Sequence, residues 1–203
     1  CARTPCAGRE GIPMALRIKE KLVLASQSPS RRRLLEQAGG DIEVIVSGAD
    51  ETVPEEYTPS ETVECLAQRK AMAVERLCPG RAIIAADSVV SIDGMIIGKP
   101  EDDEAAKATL RRLSGRTHKL YTGVCLSVRG KRRVFHQVTD VTFYELTGEE
   151  IAEYVAMGES TGRAGGYGIE GIGVMLVKEI AGDYSNIVGL PVAETLRRLR
   201  EML

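Results

Sequence analysis

The sequence predicts an α/β fold whose central sheet is mixed, partly antiparallel and flanked by helices. Short apolar runs alternate with amphipathic helical segments, the pattern of a sheet covered by helices. That alternation lacks the strict strand–helix rhythm of a doubly wound domain, and turn signals at Asp93-Gly94 and in the basic stretch Arg129-Gly130-Lys131-Arg132-Arg133 join strands directly.

In order along the chain, KLVLAS (21–26) reads as a short buried strand. A polar turn and a helix from Arg31 to about Ala38 follow, with Gly39 and Gly40 as its left-handed stop. IEVIVS (42–47) is the next strand and leads into a loop carrying Asp50, Glu51, Glu55 and Glu56. Thr58-Pro59-Ser60-Glu61 is a capping box with Pro at the first helical position, opening a helix to about Leu77. RAIIAAD (81–87) and SVVSI (88–92) form an apolar strand region that turns at Asp93-Gly94 into MIIG. A helix from about Asp103 to Leu113 ends at Gly115, and two long strand-like segments occupy 118–128 and 134–144. Thr147 to Glu150 is a second capping box, for a short helix that stops at Gly158. A glycine-rich loop spans 158–173, VMLVKEI (174–180) reads as a strand, and Pro191 opens the terminal helix.

Composition bounds the function. The 203 residues, 43% hydrophobic and 28% charged, suit one globular domain or two closely joined lobes. A formal charge of −2 argues against a surface built to hold a polyanion, so no nucleic-acid partner is expected. No apolar run approaches the roughly 18 residues of a membrane span, and none is expected. The first twenty residues are charged and lack the apolar centre of a signal peptide, which leads us to expect a cytoplasmic protein. Residues 1–20 are set apart as an N-terminal extension, with Met14 a candidate natural start, and 21–203 as a single domain. Cys1, Cys6, Cys65, Cys78 and Cys125 are odd in number and contain no CxxC pair, so neither a zinc site nor a disulfide framework follows.

Three features are hard to explain structurally. Arg31, Arg32 and Arg33 open a helix just after Ser26-Gln27-Ser28-Pro29-Ser30, where cations oppose the helix dipole. A bound phosphate would reverse that argument by accepting the free N–H groups, the guanidinium forks and the serine hydroxyls; the alternative is three solvated arginines. Lys70 falls within the apolar stripe of Val63, Leu66, Ala67, Ala71, Val74 and Leu77, so it either snorkels outward or meets an anion inside. Asp87 interrupts an apolar run with no glycine or proline beside it, pointing to function over a strand-end turn residue. Lys99, in Gly98-Lys99-Pro100, follows the hairpin and could return beside Asp87.

Other chemistries are set aside. There is no GxxxxGK[ST] loop, and His118 and His136 lie in no nucleophile or metalloprotease motif. The formal GxGxxG at Gly166, Gly168 and Gly171 precedes a strand when a dinucleotide site requires it to follow one. The glycines serve instead for close approach of backbone to a ligand or another chain. Any metal would be a hard cation held by carboxylates and phosphates, hence Mg2+ or Mn2+.

Read in order, LASQSPSRRRLL (24–35), LAQRKA (66–71), AADSVV (85–90), GKP (98–100), LSGRTHKLYTGV (113–124), GRAGGYGIEGIG (162–173) and GDYSNIVGLP (182–191) resemble the Maf family of nucleoside triphosphate pyrophosphatases. The resemblance implies two lobes around a nucleotide-binding cleft, an inosine triphosphate pyrophosphatase-like fold, a homodimer, and divalent-metal-dependent hydrolysis to monophosphate and pyrophosphate. On the matching positions it implies Asp87 as the proton acceptor, or as a metal ligand, with Glu51 a second metal or phosphate-side carboxylate. Ser26, Ser28, Arg31, Arg32, Lys70 and Lys99 would surround the phosphates. Specificity is implied at Ser30, Ser88 and Glu170, which depart from the dTTP/UTP branch; Glu170 and the SPxRR pattern resemble the 7-methyl-GTP branch. AGGYGI and GDYSNIVGLP resemble the dTTP/UTP branch, which is favoured. The role implied is clean-up of non-standard or excess nucleotides, with a nucleotide-binding regulator of cell division as an alternative of another class.

Overall fold

The computed structural model describes residues 18–203; the expectations for residues 1–13 and Met14 lie outside them. One seven-stranded sheet has the order β2-β1-β3-β5-β6-β7, with β4 paired to β3. Strand β1 (Leu22–Leu24) runs parallel to β2 (Ile42–Val44) and to β3 (Ala82–Ile92). The other pairs are antiparallel: β3 with β4 (Met95–Ile97) and β5 (Thr117–Val128), β5 with β6 (Lys131–Phe143), and β6 with β7 (Val177–Ala181). The sheet is therefore mixed, as its hairpin signals require.

Helix α1 (Pro29–Gln37) starts two residues before the expected Arg31, because Ser28 caps it and Pro29 occupies the first turn without needing an N–H partner. Helix α2 (Pro59–Leu77) has the Thr58/Glu61 capping box, and α4 (Gly148–Ala156) has the Thr147/Glu150 box. Between them, α3 (Asp103–Leu113) is capped by Asp102, whose carboxylate accepts from Ala105 N. The chain ends in α6 (Val192–Arg200). Among the described residues, no helix is long and apolar enough to cross a membrane.

Strand β6 begins at Lys131 and not at 134, and three other stretches also differ from the sequence expectation. Strand β2 ends at Val44, not Ser47, and only Ile45 N extends the ladder, to Leu24 O at 3.1 Å. Residues Ile172–Leu176 form a 3-10 turn, so β7 begins at Val177 and not at 174. Gly173 explains that turn, because a Cβ there would lie 3.0 Å from Gly168 N and nearer still to Gly168 O. Finally, α5 (Tyr184–Val188) was not expected; at five residues it is too short to show a helical period, and Asp183 nucleates it by accepting from Ser185 N.

The core explains where a cleft can open. Val90, Ile92, Leu110, Leu120, Phe143 and Tyr154 belong to one buried cluster. Leu22, Leu24, Ile84, Ala86, Leu126 and Leu199 form a second, and Val23, Ala67, Val74, Ile83, Ala85 and Cys125 a third. Each fully buried Leu, Ile or Val contributes roughly 1.5–3 kcal/mol, so β3, which passes through all three clusters, is firmly held. Asp87 and Ser88 belong to none of the three. They sit where the strand leaves the second and third clusters and enters the first. Alternation along the pleat decides their directions: Ile83 and Ala85 pack with α2 residues, so Asp87 shares the α2 face and Ser88 takes the opposite one.

Candidate active site

The turn after β1 is tied by its own serines. Ser26, only 8% exposed, accepts from Ser28 N at 3.2 Å, and Ser28 Oγ accepts from Arg31 N at 3.4 Å. This capping aims the first turn of α1 at the C-terminal half of β3. Arg31 is half-buried there. Its Nε donates to Gly189 O at 2.7 Å, Nη1 donates to Ser26 Oγ at 3.1 Å and Ala86 O at 2.9 Å, and Nη2 donates to Ser88 Oγ at 2.9 Å. Burial pushes this guanidinium below the usual arginine range, with Asp87 and then Glu51 opposing the shift.

Lys70 comes from the other face. Its position on the stripe of α2 turns it towards the sheet, where its side chain is 12% exposed. Nζ donates to Asp87 Oδ1 at 2.6 Å and lies 2.7 Å from Glu51 Oε1. Asp87 is not a strand-end residue; it is in the middle of β3, paired with Gly123 of β5. Glu51 reaches in from the loop after β2, and its hydrogen bond to Lys70 holds it below the usual glutamate range.

Gly123 makes this meeting possible. A Cβ there would lie 2.7 Å from Glu64 N, and closer still to the carbonyl of Val63, so only glycine lets the α2 backbone rest on the sheet beside Asp87. The signal was a glycine inside an otherwise strand-like run, which marks a close backbone approach.

These groups share a cavity of about 840 Å3. Ser26, Ser28, Arg31, Lys70 and Lys99 line it, together with Asp87 and Glu51. Ser30, Ser88 and Glu170 line it too, so the three positions expected to govern specificity face the same space. Arg32 is the exception. It points away and donates to Glu36 at 2.7 Å on the exposed side of α1, since successive helical residues diverge by about 100°. Its neighbour Arg33 lines the cavity instead and donates from Nη2 to Glu170 Oε2 at 2.9 Å. Ser30 Oγ donates to the same oxygen at 2.5 Å, so α1 and the glycine-rich loop are clasped at the cleft.

Arg163 also lines the cavity and was not anticipated. Its guanidinium lies so close to Gly168 that any side chain there would collide with it. The loop shows why a GxGxxG reading fails: Gly165 and Gly166 adopt φ of 71° and 70°, and a Cβ on Gly165 would come within 2.9 Å of Val90 Cγ2. Gly165 brings backbone against β3 and Gly166 against Pro100, and neither opens a helix over a phosphate.

A hard cation fits the donors present. Asp87 and Glu51 already converge on one positive charge, and Mg2+ commonly takes one or two carboxylates and completes its shell from phosphates and water. Among the described residues no cluster of three or more His, Cys, Asp or Glu side chains is placed to hold a metal without such help.

Comparison with known proteins agrees with this arrangement. The family described as Maf-like protein matches residues 21–202. A dTTP/UTP pyrophosphatase of Bacillus pumilus is 43% identical over 179 residues, covering 88% of this chain and 95% of that protein. One from Bacillus cytotoxicus is 44% identical over 182 residues, covering 90% and 95%. Among solved structures, the Staphylococcus aureus Ham1 protein aligns with 61% of this chain and 72% of its own, at 19% identity and a TM-score of 0.44, too distant to bear on the site. With a family match across nearly the whole sheet-forming region and relatives this similar over nearly their full length, the chain belongs to the Maf family.

Proposed function

We propose that the protein hydrolyses nucleoside triphosphates between the α- and β-phosphates, releasing the monophosphate and pyrophosphate, with dTTP/UTP-type substrates favoured. The observation that carries this reading is the convergence of Arg31, Lys70 and Lys99 with Asp87 and Glu51 on one cleft of small-molecule size.

Donor counting gives the roles. Arg31 has five N–H groups, and four are used by protein acceptors, leaving one for a phosphate oxygen. Lys70 has three and spends two on carboxylates. The serine turn adds hydroxyls at the start of α1. Asp87 keeps Oδ2 free of Lys70 and accepts a proton from the attacking water. The water oxygen bonds to the α-phosphorus, the bond to the bridging oxygen breaks, and pyrophosphate leaves, with the cations relieving its charge. Asp87 and Glu51 would hold a divalent metal, which supplies further charge neutralisation on the phosphates.

Glu170 bears on the base. Its Oε2 already accepts from Arg33 and Ser30, so its charge is matched within the protein and is not left for a cationic methylated purine. That supports a pyrimidine triphosphate over 7-methyl-GTP, as do the printed names of the two relatives. Arg132 and Arg133 pair with Glu75 and Glu201, which supports the absence of a nucleic-acid role. Exposed Ile172, Val174 and Met175 support a homodimer.

The test is a panel of canonical and methylated triphosphates with Mg2+ or Mn2+, scored by product. Monophosphate and pyrophosphate from dTTP and UTP, lost in Asp87→Asn, are expected. Diphosphate and inorganic phosphate would overturn the assigned bond, and turnover of 7-methyl-GTP alone would overturn the assigned base.

A further inference from the structure

We propose that Thr122 is a positioning residue that fixes the phosphate-binding guanidinium of Arg31 through Ser88; this deepens the proposed function and rests on it. Thr122 lies on β5 directly opposite Ser88 of β3 and is fully buried. It does not line the cleft, so any influence on substrate must pass through another residue.

The hydrogen bonds have one consistent direction. Thr122 Oγ1 lies 3.2 Å from the carbonyl oxygen of Asn186, which can only accept, so the Thr122 proton is committed there. Ser88 Oγ lies 2.9 Å from Thr122 Oγ1. With the Thr122 proton already used, Ser88 must be the donor in that contact. Its remaining lone pairs then face Arg31 Nη2, which donates at 2.9 Å. Asn186 is itself immobilised, because its Nδ2 donates to Leu120 O at 3.2 Å and to Thr139 Oγ1 at 3.0 Å. The chain Arg31–Ser88–Thr122–Asn186 thus ties the guanidinium to the buried end of α5. On its other edge the guanidinium is bound to Gly189 O, three residues after Asn186. Arg31 is clamped by one segment from two sides, with its fifth N–H left directed by that clamp.

Thr122→Val keeps the shape and removes the hydroxyl, leaving the Ser88 proton without its acceptor. We expect kcat to fall about tenfold with KM changed less than threefold, because the loss concerns orientation during reaction more than ground-state binding. Thr122→Ser should recover most of that loss. Ser88→Ala cuts the same chain from the other side, and its effect should not add to that of Thr122→Val in the double variant. In 15N-arginine NMR spectra, the Arg31 Nη hydrogens should show hindered rotation in the wild type and averaging in Thr122→Val.

Wild-type kcat in Thr122→Val, additive losses in the double variant, or no recovery in Thr122→Ser would overturn the inference. If Thr122→Val does not fold, Ser88→Ala must still release the Arg31 signal. If the wild-type protein turns over no triphosphate, the proposed function fails alone; the relay then stands or falls on the Arg31 spectrum.

Discussion

Lys70 Nζ lies 2.6 Å from Asp87 Oδ1 across the interface between α2 and β3, with both side chains less than 15% exposed. Deleting one member of such a pair strands the other charge, at a cost of about 3–5 kcal/mol, whereas an exposed pair is worth about 0–1 kcal/mol. Glu51 makes the two deletions unequal, since it can still partner Lys70 when Asp87 is neutral. Lys70→Met should therefore lower the urea midpoint more than Asp87→Asn. Both should lose at least about a thousandfold in kcat, because each removes part of the electrostatic and proton-transfer machinery. Asp87→Asn with wild-type turnover would remove it from the reacting centre.

Gly123→Ala tests whether close packing, and not only charge, brings the pair together. The added methyl would meet the backbone of Val63 and Glu64, which is not a flexible side-chain end and cannot swing aside. Overpacking of this kind costs roughly 1–3 kcal/mol and shifts the helix off the sheet. Asp87 stands opposite Gly123, so the shift falls where Lys70 must reach. Reduced thermal stability together with reduced kcat is expected. Stability lost without any loss of activity would uncouple this contact from the site.

Much of the fold was legible because burial imposes periodicity. The stripe on α2 marked Lys70 as either snorkelling outward or meeting an anion inside, and the structure shows the second; the apolar run of β3 exposed Asp87 as an anomaly. Local chemistry did equally well at Thr58 and Thr147, where the expected capping boxes formed. What escaped was decided by tertiary contact. Arg31, Arg32 and Arg33 are identical in type, and only the rotation of the helix separates the one that lines the floor of the cleft, the one at the clasp and the one in solvent. Arg163 carried no local signal, because its place depends on Gly168 folding beneath it. The relay through Thr122 could not be read either, since its four members lie on α1, β3, β5 and α5 and meet only in the folded chain.

The acid sensitivity of the fold is expected to centre on His118. It is 1% exposed, its Nε2 hydrogen-bonds with Tyr167 Oη at 2.8 Å, and its ring meets Phe143 edge-on. Burial lowers its pKa from 6.5 to about 4, with Asp140 opposing weakly. The unfolded chain takes up this proton near pH 6.5 and the folded chain only near pH 4. Between those values the unfolded state holds more protons, so stability falls as pH falls, by at most about 3 kcal/mol. Shifted carboxylates such as Glu51 act in the same direction but below the usual glutamate value of 4.5, leaving the upper part of the window to His118. In His118→Gln the melting temperature should start lower, for lack of the ring contacts, yet decline less between pH 6.5 and 5. Parallel declines in the two proteins would place the sensitivity elsewhere.

Glu170 separates stability from selection. Its partner Arg33 is about half exposed, and pairs of that kind add little to folding, so Glu170→Gln should leave the melting temperature within about 2 °C. The clasp it makes with Ser30 and Arg33 nevertheless joins two walls of the cleft. Glutamine can still accept from Ser30 but no longer offsets the Arg33 charge. Arg33 then faces the cavity as an uncompensated cation. Anionic triphosphates of every base should gain attraction while discrimination between bases narrows, since an electrostatic gain is shared and a shaped wall is not. The check is the ratio of kcat/KM for dTTP to that for dGTP, expected to move towards one by about threefold to tenfold. An unchanged ratio would make the clasp a surface contact, and a ratio that moved with a collapse in melting temperature would make it part of the fold.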